Sequence, residues 1–269
     1  MYRITTPLVA LVLVLSSQSA RSAVITLNPS KDNTLIQATD PSQQRSNGQG
    51  DIFVGRTNQD GQGPATISIR RGLIDFDIAS SIPAGSIITG VSLTMKDVMG
   101  LNGDPVVELH RVLANWGEGA SFQNGGQGDL AKDGDATWLY TFFNAANPAN
   151  STAWTTPGGD FSSTVSGSTI VSDDLGGGQL FTWSSSNNSQ MTADVQSWLD
   201  TPSTNFGWIL IGDESRGQSA KRFSSSESTP QPSLVITYTA VPEASTIVML
   251  GTCGFLGALN CVRRTRQAR

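Results

Sequence analysis

Apolar and polar residues alternate along much of the chain between residues 24 and 240, with the period of two that β-strands require. The clearest alternation covers residues 66–78. It places Gly72, Ile74, Phe76 and Ile78 on one face and Arg71, Leu73, Asp75 and Asp77 on the other. A second strand, at 87–95, is predicted to turn Ile87, Thr89, Val91, Leu93 and Met95 to one side. Further strands are predicted at 24–27, 52–54, 106–113, 208–211 and 234–238.

One segment has the period of a helix instead. Met191, Val195, Trp198 and Leu199 recur at helical spacing within residues 189–200, and Pro202 closes the segment. Many short strands joined by loops rich in Gly, Ser, Asn and Asp predict an all-β fold, a β-sandwich with one short helix. Of the six tryptophans, Trp183, Trp198 and Trp208 lie in these regular segments and are predicted to be core residues.

The N-terminal residues 1–23 have the pattern of a secretory signal peptide. Arg3 supplies a positive charge, residues 8–15 are an unbroken apolar run, and small residues follow. Cleavage after Ser22 fits the preference for small side chains better than cleavage after Ala23. The alternative is an uncleaved anchor, but the apolar run is short for crossing about 30 Å of hydrocarbon as a helix.

The C-terminal residues 241–269 combine a short polar motif, an apolar stretch from 247 to 262 and a basic end. This order predicts a membrane helix with its arginines on the cytoplasmic side. The motif is Val241, Pro242, Glu243, Ala244, Ser245 and Thr246, and the stop consists of Arg263, Arg264 and Arg266. The segment resembles the PEP-CTERM sorting signals of bacteria, although Ala244 stands where those signals carry a second proline. The resemblance implies recognition by an exosortase-type sorting enzyme and an at least transient membrane anchor.

Composition narrows the classes of partner. The chain has 22 acidic and 17 basic residues, and Glu243 and six of the basic residues lie at the two ends. The remaining 21 acidic and 11 basic residues give the middle a net charge of −10. A nucleic-acid partner is disfavoured, because phosphate binding needs clustered Lys and Arg. Both cysteines, Cys253 and Cys261, lie in the tail, so the middle has no disulfide framework and no thiol nucleophile.

An ordered set of motifs in the middle resembles DNRLRE domains. The residues that carry the resemblance are 71–77, 82–86, 91–93, 109–111, 116–118, 134–138, 154–160, 195–199, 205–208, 220–224 and 232–238. It implies a jelly-roll-like β-sandwich over residues 24–239, of the kind found on secreted proteins and in some cases carbohydrate-binding. Gln190 and residues 224–227 depart from the family pattern, where an Asp and an Asp-Ser-Arg-Glu sequence are usual.

Two sets of loop residues are candidates for binding. Trp116, Trp138 and Trp154 lie beside Gly and Asp, and flat rings in loops can stack on sugar faces while a residue such as Asp160 binds hydroxyls. The alternative is that the same rings pin long loops to the sandwich. If a structural calcium ion is bound, Asp32 and the loop with Asp133 and Asp135 are the predicted ligands, because calcium prefers several oxygens. The alternative for these acids is a solvated turn.

Catalysis has a weaker basis in the sequence. Asp75 and Asp77 share one predicted strand face, about 6.5 Å apart, a spacing that resembles a glycosidase pair. His110 is the lone histidine and has no evident nucleophile beside it. The sequence therefore predicts a secreted, envelope-sorted, non-catalytic protein that binds extracellular polysaccharide and needs no cofactor. The alternatives are a structural or adhesive matrix protein without specific glycan binding, and a polysaccharide lyase or hydrolase.

Overall fold

The structure is a computed structural model that describes residues 21–38, 40–58, 68–100, 103–173 and 177–240. Residues Ser22–Ala240 form a compact unit. The sorting motif, the apolar tail segment, the arginine stop and residues 1–20 of the predicted signal lie outside the described residues. The last three residues of the predicted signal belong to the first strand, Arg21–Leu27.

The described part of the chain is mostly β-strand, with one α-helix and two short 3-10 helices. The strands are β1 Arg21–Leu27, β2 Lys31–Ile36, β3 Arg45–Ser46, β4 Ile52–Arg56, β5 Ile69–Asp75, β6 Ile87–Gly100, β7 Val106–Val112, β8 Asp129–Leu130, β9 Tyr140–Phe142, β10 Thr152–Ala153, β11 Phe161–Ile170, β12 Leu180–Ser184, β13 Trp208–Ile211, β14 Lys221–Phe223 and β15 Ser233–Ala240. The helix α1 is Gln190–Asp200, and the 3-10 helices are Pro148–Asn150 and Pro202–Thr204.

Eleven strands form one curled sheet in the order β1-β15-β6-β14-β4-β5-β13-β7-β11, with β12 also pairing with β6 and β2 with β5. Every pair with a described register in this sheet is antiparallel. Two small ribbons, β9–β10 and β3–β8, lie outside it. The prediction of an all-β fold class with one short helix is therefore confirmed for the described residues.

The curl of the sheet encloses the main apolar core. Side chains from β4, β5, β7 and β13 share this cluster with side chains from β6, β12, β14, β15 and α1. The three tryptophans predicted as core residues, Trp183, Trp198 and Trp208, are in it and fully buried. The helix lies within one residue of its predicted bounds and buries Met191, Val195, Trp198 and Leu199 here, as its periodicity predicts.

Strand β5 carries apolar residues on both faces. Ile74 belongs to the main core, whereas Leu73 belongs to a second apolar cluster on the other side of the sheet. The alternation in the sequence therefore gave the right two faces, but both are buried. Loops rather than a further sheet supply the opposite wall of the second cluster.

The predicted inward face of β6 is only partly right. Val91, Leu93 and Met95 are buried as expected, but Ile87 and Thr89 are exposed and Ile88 is buried instead. The register with β15 shifts at this point: Thr237 is opposite Gly90 and Tyr238 is opposite Ile88, which leaves Thr89 as an extra residue. This β-bulge exchanges the two faces, because one added residue inverts a period of two.

Several strands have no clear alternation in the sequence. Strand β2 buries Asp32, Asn33 and Thr34 next to Leu35 and Ile36, so its buried residues include polar ones. Strand β11, at the end of the sheet order, consists largely of Ser and Thr. Among the described residues, no helix is long and apolar enough to cross a membrane.

Candidate functional site

The three tryptophans proposed for sugar stacking do not form an open platform. Trp116, Trp138 and Trp154 are 1, 6 and 4% exposed and share the second apolar cluster with Leu35, Leu73, Val112, Ala136 and Ile209. The indole N–H of Trp116 donates to the carbonyl of Phe206 at 2.9 Å, and that of Trp154 to the carbonyl of Thr137 at 2.9 Å.

Cations cover two of these rings as well. The Lys31 ammonium lies 4.2 Å from the ring centre of Trp116, and the Arg71 guanidinium lies 4.8 Å from that of Trp138. Surface stacking by these tryptophans is therefore corrected to the alternative: the rings attach long loops to the sheet. Loops need such anchors, because their backbone has no strand partner of its own.

Asp160 closes a turn. Its two carboxylate oxygens accept the backbone N–H groups of Thr155 and Thr156, both at 2.8 Å. These bonds occupy the side chain that was predicted to bind sugar hydroxyls.

The acidic residues of the predicted calcium site serve different loops. Asp135 is buried, and its carboxylate accepts backbone N–H groups of Ala120, Ser121 and Lys132, at 2.8, 3.3 and 2.7 Å. Burial raises the pKa of Asp135, and these bonds act in the opposite direction. Asp133 is exposed and accepts the N–H of Ala145 at 2.7 Å. Both side chains organise loop backbone.

Asp32 is in a different situation. It is 0% exposed, its Oδ2 accepts the N–H of Ser226 at 2.7 Å, and its Oδ1 has no hydrogen-bond partner in the described part of the chain. Burial raises the pKa of Asp32 to about 8, and the negative charges of Glu227 and Glu118 add to the rise. Burial also raises the pKa of Glu118, whose Oε1 accepts the N–H of Asp32 at 3.1 Å.

Sequence reasoning missed Glu118 and Glu227 as neighbours of Asp32. They are 86 and 195 positions away, and neither has a metal-ligand spacing with Asp32 that a pattern could reveal. Within the described ranges, no group of three or more His, Cys, Asp or Glu residues is placed so that it could hold a metal ion.

The Asp75 and Asp77 pair does not open together on a cleft. Asp75 is buried with its Oδ2 3.8 Å from the Lys31 ammonium, and burial raises its pKa to about 6. Asp77 is exposed and binds the backbone N–H and the hydroxyl of Ser80. His110 is buried, with its Nδ1 2.9 Å from the carbonyl of Ser162 and its Nε2 3.3 Å from Glu108.

A groove of about 820 Å³ runs between β6, the end of β12 and helix α1. Eight of its fourteen lining residues are Ser or Thr, and none of the described residues that line it is charged. The hydroxyls and the one amide are those of Thr89, Ser92, Ser184, Ser185, Ser186, Ser189, Thr192, Gln196 and Thr237. The groove is therefore neutral, rich in hydrogen-bonding groups and held by regular elements.

Side chains replace a neighbouring strand along this part of β6. Strand β12 pairs with β6 only from Ser92 to Lys96. Beyond it, the Gln196 carboxamide oxygen accepts the N–H of Ile88 at 2.8 Å, and the Ser185 hydroxyl accepts the N–H of Val91 at 2.9 Å. The bulged Thr89 lies between these two positions and lines the groove, so the bulge helps to shape it.

A second concavity of about 400 Å³ lies around Phe53, with Met99, Asn58, Asn124 and Arg222 among its lining residues. Phe53 is only 8% exposed, and the Arg222 guanidinium lies 5.4 Å from its ring centre. The ring is thus already covered, and this cleft is a weaker candidate for sugar binding than the larger groove.

Comparison with known proteins adds no assignment to this chain. No family model matches it, and no curated protein matches it either. The resemblances to DNRLRE domains and to PEP-CTERM signals rest on the sequence motifs themselves.

Proposed function

We propose that this chain is a secreted, envelope-sorted, non-catalytic protein whose jelly-roll-like β-sandwich binds an extracellular polysaccharide in the groove between β6, β12 and α1. The observation that carries the proposal is the neutral lining of this groove by Ser, Thr and Gln side chains. Sugar hydroxyls both donate and accept hydrogen bonds, and so do these side chains, which makes the two surfaces chemically complementary.

The size and the open shape of the groove fit a chain of sugar rings better than a small metabolite. Its volume of about 820 Å³ lies near the upper end of the usual range for ligand sites, and it is open along one side. Single hydrogen bonds between the groove and sugar hydroxyls are weak, because each replaces a hydrogen bond to water. Many copies on one cell surface would raise the overall affinity for a repeating polymer.

Charge favours a neutral polysaccharide. The folded middle carries a net charge of −10, and the groove has no Lys or Arg among its described lining residues to offset a polyanion. A sugar polymer without carboxylate or sulfate groups avoids this repulsion.

The test is binding of the purified full-length chain to neutral and acidic polysaccharides by affinity electrophoresis and glycan array. Ala193 lies in the groove on an exposed position of α1, so Ala193→Trp fills the groove without touching the core. We expect at least tenfold weaker binding. Ala149→Trp, at an exposed position in the 3-10 helix Pro148–Asn150, is the matched control and should bind as the unmodified chain does.

Retained binding in Ala193→Trp would reject the groove as the binding site, and binding to acidic polymers alone would reject a neutral polysaccharide as the ligand.

The cellular location of the protein needs a separate experiment. Alkaline phosphatase fused after Ala240 should be active, since this enzyme folds only outside the cytoplasm. An inactive fusion would overturn the proposed secretion.

A structural or adhesive role without specific glycan binding is the second candidate. The burial of Trp116, Trp138 and Trp154 favours it, because the rings expected to stack on sugar instead hold loops. Absence of binding to every glycan tested, in a chain that is folded and exported, would select this function.

A further inference from the structure

We propose that the folded chain forms a covalent amide bond between Nζ of Lys31 and Cγ of Asn115, with release of ammonia and with Asp75 as the catalytic acid and base. The three residues come from the start of β2, the loop after β7 and the end of β5. The bond forms once in each chain, so it does not make the protein an enzyme. It does not depend on the proposed glycan groove, which other residues line.

The fold brings the amine and the carboxamide into contact. Nζ of Lys31 donates a hydrogen bond to Oδ1 of Asn115 at 3.2 Å, across 84 positions of the chain. Nζ also donates to the backbone carbonyl of Trp116 at 2.9 Å, which holds the amine beside Asn115. Cγ is bonded directly to Oδ1, and Asn115 is exposed, so a rotation of its side chain presents Cγ to the amine. Groups held together in this way react as parts of one molecule, which lowers the barrier.

The register of the sheet supplies the carboxyl group. Lys31 lies opposite Asp75 in the antiparallel pair of β2 and β5. Oδ2 of Asp75 is 3.8 Å from Nζ of Lys31, and the side chains are 11 and 22% exposed, so water screens this pair little. Oδ1 of Asp75 accepts the N–H of Phe76 at 2.8 Å, which orients the carboxyl group with Oδ2 toward the amine.

Burial favours proton transfer within this pair. A lysine amine attacks a carbonyl carbon only in its neutral form. Burial lowers the pKa of Lys31, although the negative charges of Asp75 and Glu118 act in the opposite direction. Burial also raises the pKa of Asp75 to about 6. The two shifts bring the pKa values of the amine and the carboxyl group closer together, so the proton passes from Lys31 to Asp75 more easily than it would in water.

The bond forms in two chemical steps. Lys31 first gives one proton to Asp75, and the lone pair on Nζ forms the new C–N bond to Cγ of Asn115. The π electrons of the carbonyl group move to Oδ1, where the backbone N–H of Trp116, 2.9 Å from this oxygen, stabilises the negative charge. Asp75 then protonates Nδ2, the old C–N bond breaks with its electron pair on nitrogen, and ammonia leaves to solvent.

The atoms and charges balance without a further reactant. Asp75 takes the surplus proton from Nζ and passes it to the departing ammonia, so the carboxylate ends as it began. In sum, a lysine ammonium and a carboxamide give a secondary amide and an ammonium ion. The sum contains no oxidant and no reductant.

The bond ties strand β2 to the loop after β7 in a part of the chain that has no cysteine. Secreted domains commonly use disulfides for such ties. A link across 84 positions restricts the unfolded chain, by the same argument that applies to a disulfide. The folded middle thereby gains a covalent brace that does not depend on redox conditions.

Mass spectrometry of the purified full-length chain, kept folded for several days before digestion, tests the bond. The intact chain should be lighter than its sequence by one ammonia molecule. Trypsin cuts after Lys and Arg, but it should not cut after the linked Lys31, and residues 22–45 should be released joined to residues 112–132. Fragmentation should place the link between Lys31 and Asn115. An unchanged mass would overturn the inference, and so would loss of ammonia with the two peptides separate.

Variants assign the roles, with circular dichroism to confirm that each is folded. Lys31→Arg keeps the charge but not the amine, and Asn115→Ala removes the carboxamide, so both should have their full sequence mass. Asp75→Asn keeps the shape of the side chain, and its linked fraction should fall at least about tenfold. Lys132→Arg, at an exposed position, is the matched control and should form the link as the unmodified chain does. Equal linking in folded Asp75→Asn would overturn the role of Asp75, and linked peptides in Asn115→Ala would overturn the choice of Asn115.

Discussion

The side-chain amide of Asn33 donates a hydrogen bond to the backbone carbonyl of Glu118, at 2.9 Å, and so ties strand β2 to the loop after β7. The same amide reaches the carbonyls of Gly117 and Ala136, both at 3.3 Å. Its oxygen accepts the N–H groups of Thr34 and Asn47 and the hydroxyl of Ser46. One fully buried residue thus fixes several loops around the start of β2.

Asn33→Ala should destabilise the protein strongly. It leaves up to three carbonyls and three donors without their partner, and each buried unsatisfied group costs about 1–3 kcal/mol before the structure relaxes. We expect a loss of at least about 3 kcal/mol in the free energy of unfolding, measured by denaturant titration. Asn187→Ala, on the exposed turn before α1, should change stability by less than about 0.5 kcal/mol. A loss below 1 kcal/mol in Asn33→Ala would show that the loops are held by other contacts.

Replacing a loop tryptophan should affect stability rather than ligand binding. Trp154→Ala removes a buried ring and its bond to Thr137, and such deletions cost about 3–5 kcal/mol. Trp154→Phe keeps most of the apolar contact and should cost less. Glycan affinity of the folded Trp154→Phe variant should equal that of the unmodified chain. A selective loss of affinity at unchanged stability would restore the stacking role predicted from the sequence.

The contribution of Asp75 to stability should fall as the pH rises, which is the opposite of the usual behaviour of a carboxylate in a folded protein. Burial raises the pKa of Asp75 to about 6, above its value of about 3.9 in the unfolded chain. Between these values the folded state binds more protons than the unfolded state, so the contribution of Asp75 to the free energy of unfolding is fully present at low pH and is lost as the pH rises from about 4 to about 6. Asp75→Asn should reduce this slope, measured by urea unfolding at several pH values. Asp133→Asn, at an exposed position that is not among the groups shifting the pKa of Asp75, should leave the slope unchanged.

Arg71 should not be replaceable by Lys. Its Nε and Nη2 bind the two oxygens of Glu214 at 2.7 and 3.0 Å, and its Nη1 binds the carbonyl of Gly158 at 2.8 Å. Lysine keeps the charge but lacks this planar fork and its stacking on Trp138. We expect Arg71→Lys to lower the free energy of unfolding by about 1–3 kcal/mol. Lys132→Arg, at an exposed site, is a control that should be neutral; equal stability of Arg71→Lys and the unmodified chain would contradict the prediction.

The sequence by itself determined the β-rich class, the faces of β5, the helix α1 and the burial of Trp183, Trp198 and Trp208. These features follow from local periodicity, which a chain carries wherever it folds. The sequence did not reveal strand β2, because its buried residues include Asp32 and Asn33, whose partners come from distant loops. It also placed Ile87 and Thr89 on the wrong face, since a bulge depends on the register with β15.

The tertiary structure alone decided which loop residues are available to a ligand. Trp116, Trp138 and Trp154 lie beside Gly and Asp in loop sequences that are typical of the surface. Long-range packing against Leu35 and Leu73 nevertheless buries them. Long-range packing also brings Glu118 and Ser226 to Asp32 across 86 and 194 positions. Contacts of this kind have no period and no fixed spacing, because they are set by how the sheet curls and where its loops return.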